Sequence, residues 1–533
     1  MTSIAHEIVA ALRRAGIGHV FGIPGGGATA ELVSACSDLG VEFVLTQHET
    51  AAVIAAGVYG ARRGGVGVVL AAIGPGVANL ANGLASASLD RLPVIAIADR
   101  YRPGVHEVAL RQQFDHLAMV RPVTKAQLTL HEDSWTTTLR RAWRLALDGR
   151  PGPVYVDFPN NYAGRPARQS LDFGPLPEPP RVAEALLAAA GERLHASRRP
   201  LILAGMGALS LPPGALAAAA AALRAPVLTS AMGKGAIAGD DAWCAGVFMG
   251  GKLEQPLIER SDLILFVGYD PVELLPRPWQ VPAYSIWLDR HSNTEQTVTP
   301  DLELTGDLAP ALAALARPGG ASQWSPEEAT GFREQVARAL AVPVAGLSPN
   351  EVVTIARELA PRETVVVTDV GANKLISVEL WSTPGPRQFL MSNGLATMGY
   401  CVPAAQAVKL AEPGRPVLCL CGDAGFLMRV QELLTGRRHE LPIVYVIFAD
   451  DQHSLITVKQ RKLGKSVHGL DFPRTDYAAL AQAFGLGCAT VSDAAGYRKA
   501  LAAALDRPER GTLIEARIDA SGYAGQFDII REL

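Results

Sequence analysis

The stretch from Val417 to Gln460 constrains this chain more than any other. Val417 to Cys421 is an apolar run of strand length that ends in Gly422-Asp423-Ala424-Gly425-Phe426. Val444 to Ala449 is a second such run, ending in Asp450-Asp451-Gln452. Between them Phe426 to Glu440 has helical spacing, and Leu441-Pro442 restarts the chain, so the whole reads as strand–helix–strand. A right-handed parallel unit of this kind puts both carboxylates at the C-terminal edge of a sheet, where open α/β sheets bind ligands. The small residues Gly422, Ala424 and Gly425 leave backbone N–H groups free at a helix N-terminus, a phosphate site. Two carboxylates beside a phosphate site suit a hard divalent cation such as Mg2+. The unit alone is equally compatible with a metal-free nucleotide-type turn, or with a strand-end Asp that caps the next helix.

A chain of 533 residues exceeds one core and suits three domains. A net charge of −3 gives no electrostatic case for nucleic acid. Met1 to Arg14 carries Ile4, Ile8, Val9 and Leu12 on one helical face with charges between them, unlike a signal peptide. Apolar runs such as Val66 to Ala72 are of strand length and too short to span a membrane. Six cysteines show no zinc spacing. Cys419 and Cys421 fall on one face of a buried strand, as packing residues. A cytoplasmic enzyme is the expectation.

Strand and helix signals alternate along three blocks, giving an α/β chain of three doubly wound parallel-sheet domains. The expected divisions are 1–165, a linker at 166–185, a central domain at 186–320, a linker at 321–345 and a last domain at 346–533. In the first block His19 to Gly22 runs into Pro24-Gly25-Gly26-Gly27, and Glu49 to Arg63 is an Ala-rich helix. Val66 to Ala72 leads into Gly74-Pro75-Gly76-Val77-Ala78-Asn79 and another helix. The first linker is rich in Pro and Arg. Polar helix signals follow Ser325, and Ser348-Pro349-Asn350-Glu351 opens the last domain as a helix N-terminus. The tail from Tyr523 to Leu533 is short and mixed.

Gly422-Asp423-Ala424-Gly425, with Asp450 twenty-seven residues after Asp423, resembles the thiamine-diphosphate motif of the 2-oxo-acid decarboxylase and acetolactate synthase family. That family usually has Gly-Asp-Gly first and Asn-Asn or Asn-Asp second; here Ala424 and Ala449-Asp450 stand in those places. The resemblance implies Asp423, Asp450 and the backbone carbonyl of Gln452 as Mg2+ ligands. A one-residue shift would put Asp451 in the role of Asp450. It extends over nearly the whole chain in the same domain order, so the first domain would bind the pyrimidine and the third the diphosphate. Gln47-His48-Glu49 before an Ala-rich helix matches the Glu that touches the aminopyrimidine ring. Read from its residues alone, Glu49 is better explained as a helix N-terminal charge, and the resemblance is what favours the cofactor role.

The resemblance further places Pro24, Gly25, Pro75, Asn79, Ala396 and Met398 at the cofactor, Met398 as the wedge between its two rings. Gly371, Ala372, Asn373 and Lys374 would form a diphosphate loop with Gly422, Ala424 and Gly425, and His453 would lie beside them. Asn373 and Lys374 depart from the usual loop but can donate to phosphate. Glu49, Gln112 and His453 are the expected catalytic groups. Arg111, Gln112 and Lys459 are the expected substrate contacts; Arg111 replaces a Phe, Lys459 a Trp and Asn160 a Lys of the acetohydroxyacid synthases. Asp270 to Leu274 lacks the flavin-contacting Arg, which counts against FAD. The implied activity is acetolactate synthase-like: a carbanion at cofactor C2 attacks a pyruvate-like 2-oxo acid, CO2 leaves, and the acyl carbanion is transferred or protonated. A benzoylformate-type decarboxylase, a non-decarboxylating lyase or carboligase, and a non-catalytic scaffold remain as alternatives. The family builds its sites between subunits, so a homodimer or homotetramer acting on small carbonyl substrates is implied.

Overall fold

A computed structural model describes residues 2–275, 281–293, 298–507 and 509–530. Three six-stranded sheets, parallel throughout, are laid out along the chain. The first comprises β1 (His19–Ile23), β2 (Glu42–Leu45), β3 (Gly67–Ala71), β4 (Val94–Arg100), β5 (Ala126–Thr129) and β6 (Pro153–Pro159), in the order β2-β1-β3-β4-β6-β5. The second comprises β7 (Pro200–Ala204), β8 (Val227–Ser230), β9 (Cys244–Phe248), β10 (Leu263–Val267), β11 (Tyr284–Asp289) and β12 (Leu302–Thr305), in the order β12-β11-β10-β7-β8-β9. The third comprises β13 (Val365–Thr368), β14 (Phe389–Leu390), β15 (Val417–Gly422), β16 (Val444–Ala449), β17 (Gly487–Val491) and β18 (Thr512–Arg517), in the order β14-β13-β15-β16-β18-β17. The central strands are buried along nearly their whole length, as expected where helices cover both faces of a parallel sheet.

The chain forms two compact units. One holds Met1–Pro177, Gly394–Arg415 and Leu427–Pro442, and therefore the first sheet. The other holds Glu178–Asn393, Pro416–Phe426 and Ile443–Leu533, and therefore the second and third sheets. In the first unit the helix Glu49–Arg63 is buried from Glu49 through Gly60. It starts at His48, whose Nδ1 accepts from Thr50 N–H, and ends at Gly64 in the left-handed region at φ 70°, a C-terminal stop that glycine allows. Its Ala-rich face lets the helix Cys401–Ala411 pack closely on it. Burial of side chains such as Ile54 and Val58 contributes about 1.5–3 kcal/mol each.

Two local readings differ from the sequence expectation, and the polar helix expected after Ser325 is present. Phe426 to Glu440 is not one helix: Asp423–Leu427 is helical, Val430–Glu432 is a 3-10 turn, and Leu433–Arg438 is a second helix. The break falls at Arg429, at φ −136° and ψ 25°, outside helical geometry. Residues 321–345 contain the helix Pro326–Leu340, with Ser325 and Glu328 in a reciprocal capping box and Pro326 in the first turn. The C-terminal tail holds the helix Gly522–Ile530, anchored by buried Tyr523 and Phe527, whose rings stack 5.4 Å apart. Ser348 and Glu351 form the capping box of Pro349–Leu359. Cys419 and Cys421 are buried on one face of β15 with sulfurs 3.8 Å apart. No helix among the described residues is long and apolar enough to cross a membrane.

Candidate cofactor site

In the first unit, Glu49 opens its helix at the C-terminal side of β2 and is 5 % exposed. Asn79, in the helix Pro75–Leu89, donates from Nδ2 to Glu49 Oε2 at 2.9 Å. Thr50 Oγ1 returns a bond to the Asn79 carbonyl at 2.9 Å. Gly74 caps the Asn79 helix at φ 70° and ψ −102°. A Cβ at Gly74 would lie 2.7 Å from the Gln112 carbonyl oxygen, so only glycine lets Gln112 come this close. Gln112 is itself at φ 55°, a sparsely populated region for a residue with a side chain. Arg111 and Gln112 are exposed in the single chain, and Tyr101 Oη donates to the Arg111 carbonyl at 3.1 Å.

Behind this turn lies a buried polar network that sequence reading did not find. Gly74 N–H donates to His116 Nε2 at 3.3 Å, which leaves Nδ1 as the protonated nitrogen, 3.4 Å from Asp157 Oδ1. Asp157 also accepts from Tyr155 Oη at 2.6 Å and Arg100 at 2.7 Å. The Pro24–Gly27 turn is held on a second buried acid. Asp99 accepts from Thr29 N–H and Thr29 Oγ1, each at 2.8 Å, and from Gly27 N–H at 3.4 Å. Burial nonetheless pushes the Asp99 carboxyl above its ordinary pKa. Gly25 N–H is taken by Thr29 Oγ1 at 2.9 Å. Ala396 is at φ 56°, and Met398 is half-buried in the loop leading to Cys401–Ala411. That loop is tied down by Gly394 N–H, which donates to Asp90 at 2.8 Å.

In the second unit, the β15–β16 register pairs Gly422 with Phe448, so the strand ends bring Asp423 and Asp450 together. Asp423 is 2 % exposed. Its Oδ2 accepts from Asp450 N–H at 2.9 Å and Asp451 N–H at 2.7 Å, and Oδ1 accepts from Ala424 N–H at 2.7 Å. Ala424 N–H therefore serves Asp423. Burial raises the Asp423 pKa against these donors. Asp450 is pushed up to about 7 by burial and by the Asp423 charge, while the Ser454 hydroxyl, bonded to it, pulls the other way. Asp451 is at φ 56°. The Gln452 carbonyl accepts from Ser454 N–H at 3.0 Å. His453 is half-buried with its ring 6.0 Å from Phe472, and Lys459 is exposed on the helix Ser454–Lys462.

The Gly371 loop caps the helix Ala372–Leu380. Ala372 is buried there, and Asn373 is turned inward, its Nδ2 donating to Thr368 Oγ1 and the Leu420 carbonyl, both at 3.2 Å. In this conformation Asn373 Oδ1 lies 3.1 Å and 3.2 Å from where a Cβ on Gly371 and on Gly422 would stand, so side chains are crowded out at both positions. Lys374 is buried, with Nζ donating to the Ser392 carbonyl at 3.2 Å. Gly425 passes the Asp369 carboxylate where a Cβ would lie 2.6 Å away. A separate cavity of about 150 Å³ in this unit, lined by Lys234, Cys244, Arg333 and Glu379 among others, includes none of these residues.

Both halves fit the groups the resemblance implies. Asp423 is buried and Asp450 half-buried beside it, and both carboxyls are held toward their neutral forms. A divalent cation relieves that repulsion with hard oxygen ligands. Glu49 and Asn79 form a polar edge in an apolar helix layer, suited to a ring nitrogen.

Fold and sites define a three-sheet enzyme that holds a diphosphate-bearing cofactor. The chain belongs to the thiamine pyrophosphate enzyme family: its residues 2–119, 187–315 and 369–516 match the family's N-terminal TPP binding domain, central domain and C-terminal TPP binding domain. It is 29 % identical to the acetolactate synthase large subunit of Parasynechococcus marenigrum, over 96 % of this chain and 87 % of the relative. It is 27 % identical to the acetolactate synthase of Bacillus subtilis, over 90 % and 87 %. It is 31 % identical to a Pseudomonas aeruginosa protein named probable 2-ketoarginine decarboxylase, again over 90 % and 87 %.

Proposed function

We propose that the chain is an acetolactate synthase-like carbon–carbon lyase or transferase that uses thiamine diphosphate and Mg2+ on a pyruvate-like 2-oxo acid. The pairing of Asn79 with Glu49 carries the reading, because it orients a buried carboxyl whose Oε1 makes no hydrogen bond among the described residues. Bound thiamine diphosphate supplies a nucleophilic carbon and an electron sink for decarboxylation. Glu49 would present its carboxyl to the pyrimidine edge, and its bond from Asn79 fixes which oxygen stays available for that contact. Asp423, Asp450 and the Gln452 carbonyl would hold Mg2+. Gly422, Gly425 and the Gly371 turn would take the diphosphate with their backbone N–H groups. Pro24, Gly25, Pro75, Ala396 and Met398 would shape the ring pocket. Gln112 and His453 would orient the substrate carbonyl or move its proton. The reading includes a cytoplasmic homodimer or homotetramer in which each site draws on two chains.

A second reading is decarboxylation ended by protonation, on a 2-oxo acid with a longer polar side chain. The relative named as a 2-ketoarginine decarboxylase supports it, as do Arg111 and Lys459 in place of the synthases' aromatic residues. The test is titration of metal-stripped protein with thiamine diphosphate plus Mg2+, followed by CO2 release from a panel of 2-oxo acids. Binding with release from pyruvate and an acyloin product supports the first reading. Release without an acceptor product supports the second. Binding without any release points to a lyase or ligase on aldehydes, acyloins or diketones. Glu49→Gln should abolish turnover while the protein stays folded, and no cofactor binding by the wild type would move a scaffold role to the front.

A further inference from the structure

Glu432 is a buried acid with no part in the chemistry described so far. It is 0 % exposed, at the junction of the 3-10 turn Val430–Glu432 and the helix Leu433–Arg438. Both its carboxylate oxygens accept from Gln47 N–H, each at 3.1 Å. Thr435 Oγ1 lies 3.1 Å from its Oε2 and 3.2 Å from the Leu45 carbonyl, so its single proton bridges Glu432 and the end of β2. Gln406 Nε2 fixes the Glu432 backbone carbonyl at 2.7 Å. All of these groups belong to the first unit.

What Glu432 holds is the turn Gln47-His48-Glu49. His48 is extended at φ −156° and caps the helix that Glu49 opens. Gln47 N–H is the last donor before that cap, and its direction sets the path of the two residues that follow. A buried carboxylate is costly to keep, and among the described residues no cation forms an ion pair with it; the Arg429 charge offsets part of that cost. An apolar side chain would fill this place without that cost, but could not orient the Gln47 amide.

We propose that Glu432 is a positioning residue for Glu49, fixing the strand-to-helix turn so that the Glu49 carboxyl meets Asn79 through Oε2 and keeps Oε1 for the cofactor ring. The inference rests on the reading of Glu49 as the cofactor-facing acid. The hydrogen bonds of the Glu432 carboxylate go to Gln47 and Thr435, so its effect on Glu49 passes through the backbone turn. Burial pushes its pKa up to about 7, and Arg429, His48 and Glu49 are the titratable groups around that turn.

The test compares Glu432→Ala, Glu432→Gln and Glu49→Gln as full-length proteins. Three readouts are needed: amide exchange at Gln47 without cofactor, thiamine diphosphate affinity with Mg2+, and deuterium exchange at C2 of the bound cofactor. In Glu432→Ala, Gln47 exchange should accelerate by about 100-fold as the amide loses its acceptor. C2 exchange should slow by about 30-fold, the scale of a misplaced catalytic group, while cofactor affinity stays within about threefold. Glu432→Gln keeps one acceptor oxygen and should recover most of both rates. Wild-type C2 exchange in Glu432→Ala, with Glu49→Gln silent, overturns the positioning role and leaves the Glu49 reading standing. Wild-type exchange in Glu49→Gln overturns the Glu49 reading itself. If Glu432→Ala does not fold, Glu432→Leu, which fills the same space and offers the Gln47 amide no acceptor, decides. Slowed C2 exchange at unchanged affinity then supports the role, and wild-type exchange overturns it.

Discussion

Asn79 and Glu49 are joined twice: Asn79 Nδ2 donates to Glu49 Oε2 at 2.9 Å, and Thr50, next to Glu49, donates its hydroxyl to the Asn79 carbonyl at 2.9 Å. Two packed helices are thus locked at their N-terminal ends, where a small angular error would swing the carboxyl. Asn79→Leu removes the donor and keeps the volume. Turnover on the best 2-oxo acid should fall about 10- to 100-fold, with a smaller change in the thermal midpoint. Steady-state kinetics beside thermal melting checks this; parallel loss of both would make Asn79 a folding residue only.

By the resemblance Asp450 falls where the family has Asn, and burial and the Asp423 charge push its pKa up to about 7. Asp450→Asn keeps an oxygen ligand and removes the like charge, so Mg2+-dependent cofactor binding should survive within about threefold. Asp450→Ala removes the proposed ligand and should weaken it by at least about tenfold. Titration of metal-stripped protein with Mg2+ at fixed thiamine diphosphate measures both. Equal behaviour of the two variants would mean that Asp450 is not a ligand.

The three-sheet architecture was legible because parallel strands are continuous apolar runs, and Val417–Gly422 and Val444–Ala449 stand out by that pattern. The long helix expected after Phe426 was not legible as broken. Local spacing favours a helix across Met428-Arg429, whereas the structure turns there and buries Glu432 against Gln47. Asp423, Asp450 and Glu49 could be singled out because each ends a strand or starts a helix. Glu432, Asp99 and the His116–Asp157 pair were missed because they act on backbone N–H groups far away in sequence, over separations no local pattern encodes. For Asp157, its place in the apolar strand Val154-Tyr155-Val156-Asp157-Phe158 was the one available signal. Asn373 shows a further limit: its residue type allows donation to a phosphate, but its amide is committed to the Leu420 carbonyl.

Gly74 tests how far Gln112 depends on its neighbour. At φ 70° and ψ −102° with Gln112 2.7 Å from a notional Cβ, Gly74→Ala must strain the turn or move Gln112. The expected destabilisation is about 1–3 kcal/mol by denaturant unfolding. KM for the 2-oxo acid should rise more than cofactor affinity changes, because Gln112 moves and the diphosphate grip does not. An unchanged KM would remove Gln112 from the substrate contacts.

Glu273 bears on flavin and on pH. In the central sheet the strand order reverses between β10 and β7, the place where open α/β sheets receive a nucleotide. There Glu273 accepts from Met206 N–H at 3.1 and 3.0 Å, from Asp270 N–H at 2.9 Å, and from the Ser230 hydroxyl. The chain's own carboxylate takes the donors a diphosphate would use, so the purified protein should be colourless and should leave FAD fluorescence unquenched. Burial pushes the Glu273 pKa up to about 8 from an ordinary 4.5, with the nearby Asp270 charge adding to the rise. The folded state then holds a proton that the unfolded chain has released. Its contribution to stability is therefore greatest at low pH and declines as pH rises from about 4.5 to 8. Glu273→Gln cannot ionise, so its thermal midpoint should fall less than wild type between pH 6 and pH 9 and exceed it at pH 9, as measured by scanning calorimetry in matched buffers. Parallel curves for the two proteins would show that Glu273 does not titrate in this range, and FAD binding with a flavin absorbance band would show that the crevice opens to a dinucleotide.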